Sequence, residues 1–493
     1  MRIFLTLLLA ALFCSAALFS ENAAFASTPG ENARTAQGRR PESGIVEGFY
    51  GRPWTEAERR MMLHFLGEHG MNLYVYAPKD DPYHREKWRE PYPPQEMLAL
   101  KRLAAEARTS GVELVFAVSP GLDQRFSGWA GEADEKAMLR KLESVHAMGV
   151  ERFAIFFDDI EHKDGRAQAL FVNRLNEELL TRRLTEKPLL VVPTEYFLQD
   201  MKTAGVAKSY TREFAAQLDD DIVVLFTGEG VVPEGISAED MTEAERLYGR
   251  PLGLWWNYPV TDYLPGKLAL GPVQGLDETV AERAPVFLMN PMEKPYLSRI
   301  ALATGAKWLS SPALYDAERA WHTAIREQYG GLAGAMELFA LHSRRMEKDW
   351  AHTGALDAPL LKAQMEAFWQ KVERGERADR EAEALAKEFR RLKRAAKQLK
   401  EKLPPETLAE CLPQLQLFAQ YAESAETSLA MVKARREGSF AHETALYQKI
   451  KDVPTEQQKK EEPRLSEQVL ADFIARAKSW HEMQEVGGER RGN

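Results

Sequence analysis

The sequence predicts an α/β fold, a (β/α)8 TIM barrel followed by an α-helical bundle domain. Three observations predict it. Over about 270 residues, short runs that are apolar on both faces alternate with amphipathic stretches of helical period, the pattern of strands buried in a parallel sheet. Those runs number eight, and several stop abruptly at polar or charged residues, the end at which such a barrel carries its chemistry. Beyond residue 312 the strand signal ceases and helix-period apolar stripes take over.

The first strand covers residues 44–49 and leads into a helix over 55–69, where Thr55 and Glu58 have the spacing of a capping box. A second strand over 72–77 is followed by a helix over 95–110, a third over 112–119 by a helix over 133–148, and a fourth over 152–157 by a helix over 167–184. Residues 189–193 read as strand five and 222–227 as strand six, with a helix over 238–248. Strand seven covers 252–256 and strand eight 286–289, with a closing helix from 296 to 304. A doubly wound open sheet is the structural alternative, but no Gly-rich dinucleotide turn follows the first strand. The second domain, residues 313–486, reads as helices over 317–329, 333–350, 360–402, 406–435 and 465–485. In the third of these Leu385, Phe389, Leu392, Ala396 and Leu399 share one face, and Pro404-Pro405 breaks it from the next. Residues 454–463 read as a polar loop and 487–493 as a disordered tail.

The ends of the chain and its composition narrow the setting. Arg2 precedes an apolar run from Ile3 to Phe19, and Ala24-Phe25-Ala26 offers a cleavage site, so residues 1–26 read as an export signal and the mature protein as secreted or periplasmic. An uncleaved anchor is the alternative, for which the run is short. Residues 27–42 are small, polar and charged, a flexible lead-in to a barrel over 43–312. Removing the signal removes Cys14 and leaves Cys411 alone, so no intramolecular disulfide is expected. A formal net charge of −9 argues against nucleic acid, or an anionic membrane surface, as the main partner.

The fourth strand carries the sharpest signal. Its apolar run Phe153-Ala154-Ile155-Phe156-Phe157 ends in Asp158 and Asp159. Adjacent carboxylates repel, so one member is expected to hold its proton to unusually high pH and serve as a general acid. The pair alone fits a solvated loop or a helix N-cap equally well. Other strand ends add to it. The first gives Gly48, whose lack of a side chain allows close approach of a ligand or a tight turn. The second gives Lys79, the fifth Tyr196, the seventh Trp255 and Asn257 with Asp262 in the loop beyond, and the eighth Asn290. Each has an ordinary structural reading in core or turn. Together, apolar faces beside placed hydrogen-bonding groups suit a neutral sugar.

The segments Val46-Glu47-Gly48-Phe49-Tyr50-Gly51-Arg52-Pro53-Trp54, Tyr76-Ala77-Pro78-Lys79-Asp80-Asp81, Ser119-Pro120-Gly121-Leu122-Asp123, Phe157-Asp158-Asp159-Ile160 and Pro193-Thr194-Glu195-Tyr196 resemble glycoside hydrolase family 84. That family contains β-N-acetylglucosaminidases that act as protein O-GlcNAcases, and some members are described as hyaluronidase-like. The resemblance spans the barrel in the family's order. It implies a retaining, substrate-assisted exo-glycosidase that needs no cofactor or metal. On the matching positions it implies that Asp158 orients and polarises the 2-acetamido group and that Asp159 is general acid, then base. It assigns Tyr196 and Asn257 to the acetamido group, Trp255 to the wall of that pocket, and Gly48, Lys79, Asp262 and Asn290 to the sugar hydroxyls. The implied partner is a glycoprotein or glycan bearing N-acetylglucosamine. Separately from the resemblance, the helical region reads as a surface either for a homodimer or for docking another protein. The extra α/β domain that many bacterial members carry before the barrel is not expected here.

The carboxylate spacing points the same way. An ordinary retaining glycosidase sets two carboxylates about 5 Å apart on opposite sides of the scissile bond. Sequence neighbours at one strand end cannot easily straddle a sugar, whereas a nucleophile supplied by the substrate lets both work from one side. Asp262 as a protein nucleophile is the competing assignment. A metal-dependent barrel hydrolase would want several His and carboxylates at strand ends; only His84 and His162 lie near the expected mouth. A hyaluronan- or peptidoglycan-type hydrolase and a non-catalytic glycan-binding protein complete the alternatives.

Overall fold

In the computed structural model, which describes residues 41–489, eight parallel strands close into a barrel. They are β1 (Glu42–Glu47), β2 (Leu73–Tyr76), β3 (Glu113–Val118), β4 (Arg152–Phe156), β5 (Leu190–Val192), β6 (Val223–Phe226), β7 (Gly253–Trp256) and β8 (Val286–Met289). Each pairs with its neighbours in sequence, and β8 returns to β1 with Gly44 opposite Leu288. The expected export signal and lead-in up to residue 40, and residues 490–493, lie outside the described residues. No helix among the described residues is long and apolar enough to cross a membrane.

Alternation along the strands explains why they read as apolar on both faces. Val46, Val75, Ala117, Ala154, Phe156, Val192, Leu225, Trp255 and Leu288 fill the barrel interior. Their neighbours Ile45, Tyr74, Phe116, Ile155, Val191, Phe226 and Leu254 face the surrounding helices. The interior is thus packed solid, and ligands are left the space above it. At the opposite end buried Arg152 pairs with Glu42 at 2.8 Å and Glu113 at 3.0 Å, tying the starts of β4, β1 and β3.

The flanking helices are α1 (Glu56–Glu68), α2 (Pro94–Thr109), α3 (Gly128–His146), α4 (Gly165–Thr181), α5 (Ser209–Gln217), α6 (Ala238–Tyr248), α7 (Glu278–Arg283) and α8 (Pro295–Ser310). The capping box before α1 forms: Thr55 accepts from the Glu58 amide at 3.3 Å, and Glu58 accepts from the Thr55 amide at 2.6 Å. Helices α5 and α7 were not expected. At nine and six residues they are too short for a periodic apolar stripe to stand out.

The helical region contains α9 (Ala317–Tyr329), α10 (Ala333–Ala340), α11 (Pro359–Glu373), α12 (Asp379–Lys402), α13 (Pro405–Arg436), α14 (Phe440–Ile450) and α15 (Asp472–Glu489). It departs from expectation in four places. The helix expected over 333–350 stops at Ala340, and a hairpin of β9 (Met346–Lys348) and β10 (Ala351–Thr353) follows. The Asp357 carboxylate accepts from the amides of Arg344 at 2.6 Å and Arg345 at 3.0 Å, which withdraws both from a helical ladder. The single helix expected over 360–402 is two, because Gly375 turns the chain at a φ of +70°. Helix α14 was not expected. The last helix runs through Gly487 and Gly488 to Glu489, further than the tail expected from residue 487; glycine weakens a helix by about 1 kcal/mol but does not forbid it.

This region packs on the loop between β7 and β8. Trp321 Nε1 donates to the Leu270 carbonyl at 2.6 Å, and Gln414 Nε2 donates to the Gly266 carbonyl at 2.7 Å. Glu410 of α13 caps α8, accepting from the Tyr296 and Leu297 amides at 3.0 and 2.8 Å. Cys411 is buried and unpaired.

Candidate active site

The C-terminal ends of the strands surround a cavity of about 390 Å³. All nine residues singled out from the sequence line it: Gly48, Lys79, Asp158, Asp159, Tyr196, Trp255, Asn257, Asp262 and Asn290. Six of the eight strands deliver them directly or in the loop that follows. The floor is aromatic. Trp255 stands edge-on to Phe156 with ring centroids 5.3 Å apart. Gly48 lies against its indole, where a Cβ would come within 2.5 Å of the Trp255 ring, so only glycine fits there.

The two aspartates have different surroundings. Asp158 is buried and ion-paired to the equally buried Lys79, so the lysine is committed to a carboxylate rather than to solvent. The other oxygen, Oδ1, is buried and has no hydrogen-bond partner. A buried carboxyl oxygen left without a donor is costly, and this one borders the cavity. Asp159 sits at a φ of +57°, a left-handed conformation unusual for a residue with a side chain. Its Oδ1 accepts from the Tyr196 hydroxyl at 2.9 Å, and its Oδ2 accepts from the Tyr50 hydroxyl at 2.8 Å.

The electrostatics correct one expectation. Repulsion within the pair was expected to keep a proton on one member. Burial does push the Asp159 carboxyl up, but the Lys79 ammonium, the Tyr50 and Tyr196 hydroxyls and the Arg85 guanidinium outweigh it. Asp159 is therefore held below the ordinary carboxylate range. The raised carboxyl is instead Asp262, through burial opposed by the Tyr50 and Tyr263 amides. The first of those amides donates to Asp262 Oδ2 at 2.9 Å. Burial and the nearby Asp159 raise both the Tyr50 and Tyr196 phenols, so each keeps its proton and donates it.

A chain of amides forms the far side. Asn257 Oδ1 accepts from Trp255 Nε1 at 2.7 Å and from Asn290 Nδ2 at 2.9 Å, while its Nδ2 donates to the Val231 carbonyl at 2.9 Å. Both side chains are thereby fixed in direction. The oxygen of Asn290 is buried without a donor and borders the cavity.

Sequence reasoning missed eight residues of the wall, among them Tyr50, Val231, Val232 and Trp350. Tyr50 lies two residues past Gly48 in a segment already singled out, so its position was legible even though its bond to Asp159 was not. Val231 and Val232 come from the loop after β6. Trp350 comes from the β9–β10 turn, is 53% exposed, and packs on Tyr263 with ring centroids 5.1 Å apart. Nothing in the local sequence marks it, because its place depends on how the helical region meets the barrel. Neither histidine noted near the mouth lines the cavity. His84 is buried, with Nδ1 at 2.8 Å from the Ala117 carbonyl and Nε2 at 3.1 Å from the Ser119 hydroxyl, and burial pushes it down to about 3. His162 is exposed.

Residues 43–341 match the family model described as beta-N-acetylglucosaminidase, and residues 360–474 match one described as hyaluronidase post-catalytic domain-like. A protein O-GlcNAcase from Rattus norvegicus is 34% identical over 280 residues, covering 55% of this chain and 30% of that protein. The match thus spans less than a third of the curated relative's length. Among solved structures, CpGH84B is 38% identical with a TM-score of 0.82, covering 88% of this chain and 76% of its own. A mutant O-GlcNAc hydrolase from Thermobaculum terrenum is 27% identical with a TM-score of 0.80, covering 92% of this chain and 97% of its own.

Proposed function

The chain belongs to the beta-N-acetylglucosaminidase family, glycoside hydrolase family 84, and from that premise we propose that it is a retaining exo-β-N-acetylglucosaminidase whose nucleophile is the substrate's own 2-acetamido group. One observation carries the reading. A buried aspartate with an unpartnered oxygen and a buried lysine stands beside a second aspartate gripped by two phenols, on the same edge of one cavity.

In the first step the acetamido carbonyl oxygen bonds to the anomeric carbon as the bond to the aglycone oxygen breaks. Asp158 accepts the amide N–H on its free oxygen and counters the positive charge that grows on the forming oxazoline ring. Lys79, paired to the other oxygen of Asp158, holds that carboxylate in place for the task. Asp159 gives its proton to the departing oxygen. The resting site holds this carboxyl low, so a bound sugar must displace water and restore the burial penalty before the acid is competent. In the second step Asp159, now a carboxylate, takes a proton from water as the water oxygen bonds to the anomeric carbon. The oxazoline opens, and two inversions leave the β configuration. Tyr196 and the Asn257 amide hold the acetamido group over Trp255, while Gly48, Asp262 and the free oxygen of Asn290 meet the ring hydroxyls.

A cavity of this size suits one sugar and its acetamido group, with the aglycone passing Tyr263 and Trp350 at the mouth. The apolar amino-terminal segment supports export, so the aglycone would be a glycoprotein or glycan met outside the cytoplasm. The test is hydrolysis of an aryl N-acetyl-β-glucosaminide with a thiazoline mimic of the oxazoline as inhibitor. Turnover blocked by the thiazoline is the expected result. Turnover indifferent to it would move the nucleophile to the protein, with Asp262 first in line. A folded protein without turnover would overturn the assignment in favour of glycan binding, or of an enzyme that demands a longer polymer.

A further inference from the structure

Arg85 is not part of the cavity wall, yet it touches Asp159 by two routes. Its Nη2 donates to the Asp159 main-chain oxygen at 3.0 Å, at the residue whose φ is +57°. Its Nη1 donates to the Tyr50 hydroxyl oxygen at 2.9 Å. A phenol has one hydrogen to give. With Arg85 on its lone pair, Tyr50 directs that hydrogen to Asp159 Oδ2, 2.8 Å away. A guanidinium can hold two acceptors in one plane, and here they are the backbone and, through a phenol, the side chain of one residue.

We propose that Arg85 is a positioning residue for the acid–base step, fixing both the Tyr50 hydroxyl and the left-handed turn from which Asp159 faces the scissile oxygen. The inference rests on the reading of Asp159 as acid and base. Left-handed backbone at a non-glycine residue is strained and persists where its surroundings hold it. Arg85 supplies that hold from the loop after β2. It leaves the acetamido side of the cavity, built on Asp158 and Lys79, untouched. The charged and titratable groups facing Asp159 are Tyr50 from the loop after β1, Lys79 and Arg85 from the loop after β2, adjacent Asp158, Tyr196 from the loop after β5, and Asp262 from the loop after β7. Lys79 already pairs with Asp158, which leaves Arg85 as the cation bound to Asp159 itself.

The experiment is the pH dependence of kcat, at saturating substrate, for a poor-leaving-group aryl N-acetyl-β-glucosaminide, with Arg85→Met and Arg85→Lys beside wild type; kcat reports the substrate-bound state in which Asp159 acts as the acid. Without the cation Asp159 keeps its proton to higher pH. The alkaline limb of Arg85→Met should therefore move up by about half a pH unit or more, with at least a several-fold loss of rate. Arg85→Lys should return the limb to its wild-type place while recovering only part of the rate, because an ammonium cannot hold both acceptors in the same fork. A lower rate with an unmoved limb in Arg85→Met would reduce Arg85 to a structural prop and overturn the proposal, as would wild-type behaviour. The limb's position does not depend on how much enzyme is folded. Asp159→Asn, assayed with an activated leaving group, separates the two readings. A limb that disappears there but stays fixed in Arg85→Met defeats the Arg85 proposal alone. A limb that survives in Asp159→Asn defeats the assignment of Asp159 and, with it, this one.

Discussion

The deep wall of the cavity stands on strand ends, whereas part of its mouth reaches in from the helical region. Asp158, Lys79, Tyr196 and Asn257 each lie within a few residues of a barrel strand, and hydrogen bonds to one another or to the backbone fix their directions. Trp350 sits nearly a hundred residues further along the chain than Asp262, on a two-stranded hairpin. The hairpin is pinned by a bridge between Val232 and Ala351 and by Arg345 Nη2 on Glu234 at 2.9 Å. On the proposed function the difference separates chemistry from recognition. Groups that would have to stay put while bonds change are mounted on the packed barrel, and the surface proposed to meet the aglycone is mounted on a segment that can vary without disturbing them.

Substitutions in the deep wall should be the most damaging and should act on kcat. In the proposed mechanism Asp158→Asn weakens the group set opposite the forming oxazoline, and it breaks the buried ion pair with Lys79. The expected loss in kcat on an aryl N-acetyl-β-glucosaminide is about 10²–10³-fold, together with weakened thiazoline binding. Unchanged inhibition would take Asp158 out of the acetamido pocket. Asp159→Ala should cost about 10²–10⁴-fold with a poor leaving group and far less with an activated one, since protonation then matters little. Equal losses across leaving groups would break its assignment as the acid.

The seam between the two regions should answer to pH. Burial, opposed by the Tyr296 and Leu297 amides and Lys294 and aided by Glu58, pushes the Glu410 carboxyl up to about 7. A carboxyl raised on folding keeps its proton in the native state after the unfolded chain has lost it. Its contribution to stability is thus full below about pH 4.5 and is lost as pH rises towards 7. Glu410→Gln cannot ionise. Between pH 4.5 and 7 the stability difference between variant and wild type should drift in the variant's favour by on the order of 2 kcal/mol. Denaturant titrations at several pH values would measure it, and a difference that does not change with pH would mean Glu410 is charged throughout as a plain helix cap.

Legibility followed the same division. Strand and helix order in the barrel could be read because parallel strands, buried on both faces, leave an unmistakable apolar run, and the cavity residues follow those runs closely. The chemical state of Asp159 could not be read. It depends on Lys79 and Arg85, brought from a different strand, and on phenols from two more. In the helical region the expectation of a helix over 333–350 failed because the competing interaction is a side chain on the far side of the segment, Asp357, which claims the Arg344 and Arg345 amides. Composition there favours helix, and tertiary contact overrules it.

Trp350 therefore gives the sharpest test of the comparison. It is half exposed, packs on Tyr263, and borders the cavity. If the mouth wall serves recognition alone, Trp350→Ala should leave kcat for a small aryl glycoside near wild type. It should raise KM about fivefold, the equivalent of an aromatic contact of roughly 1 kcal/mol. The effect should grow when the aglycone is a glycopeptide long enough to cross the indole, and it should vanish for a methyl aglycone that cannot reach it. The circular dichroism spectrum and melting temperature should be unchanged, because the hairpin is held by Arg345, Glu234 and Asp357 rather than by the indole. A fall in kcat of equal size on every aglycone would mean that the hairpin positions the deep wall after all, and the two walls would then have to be treated as one device.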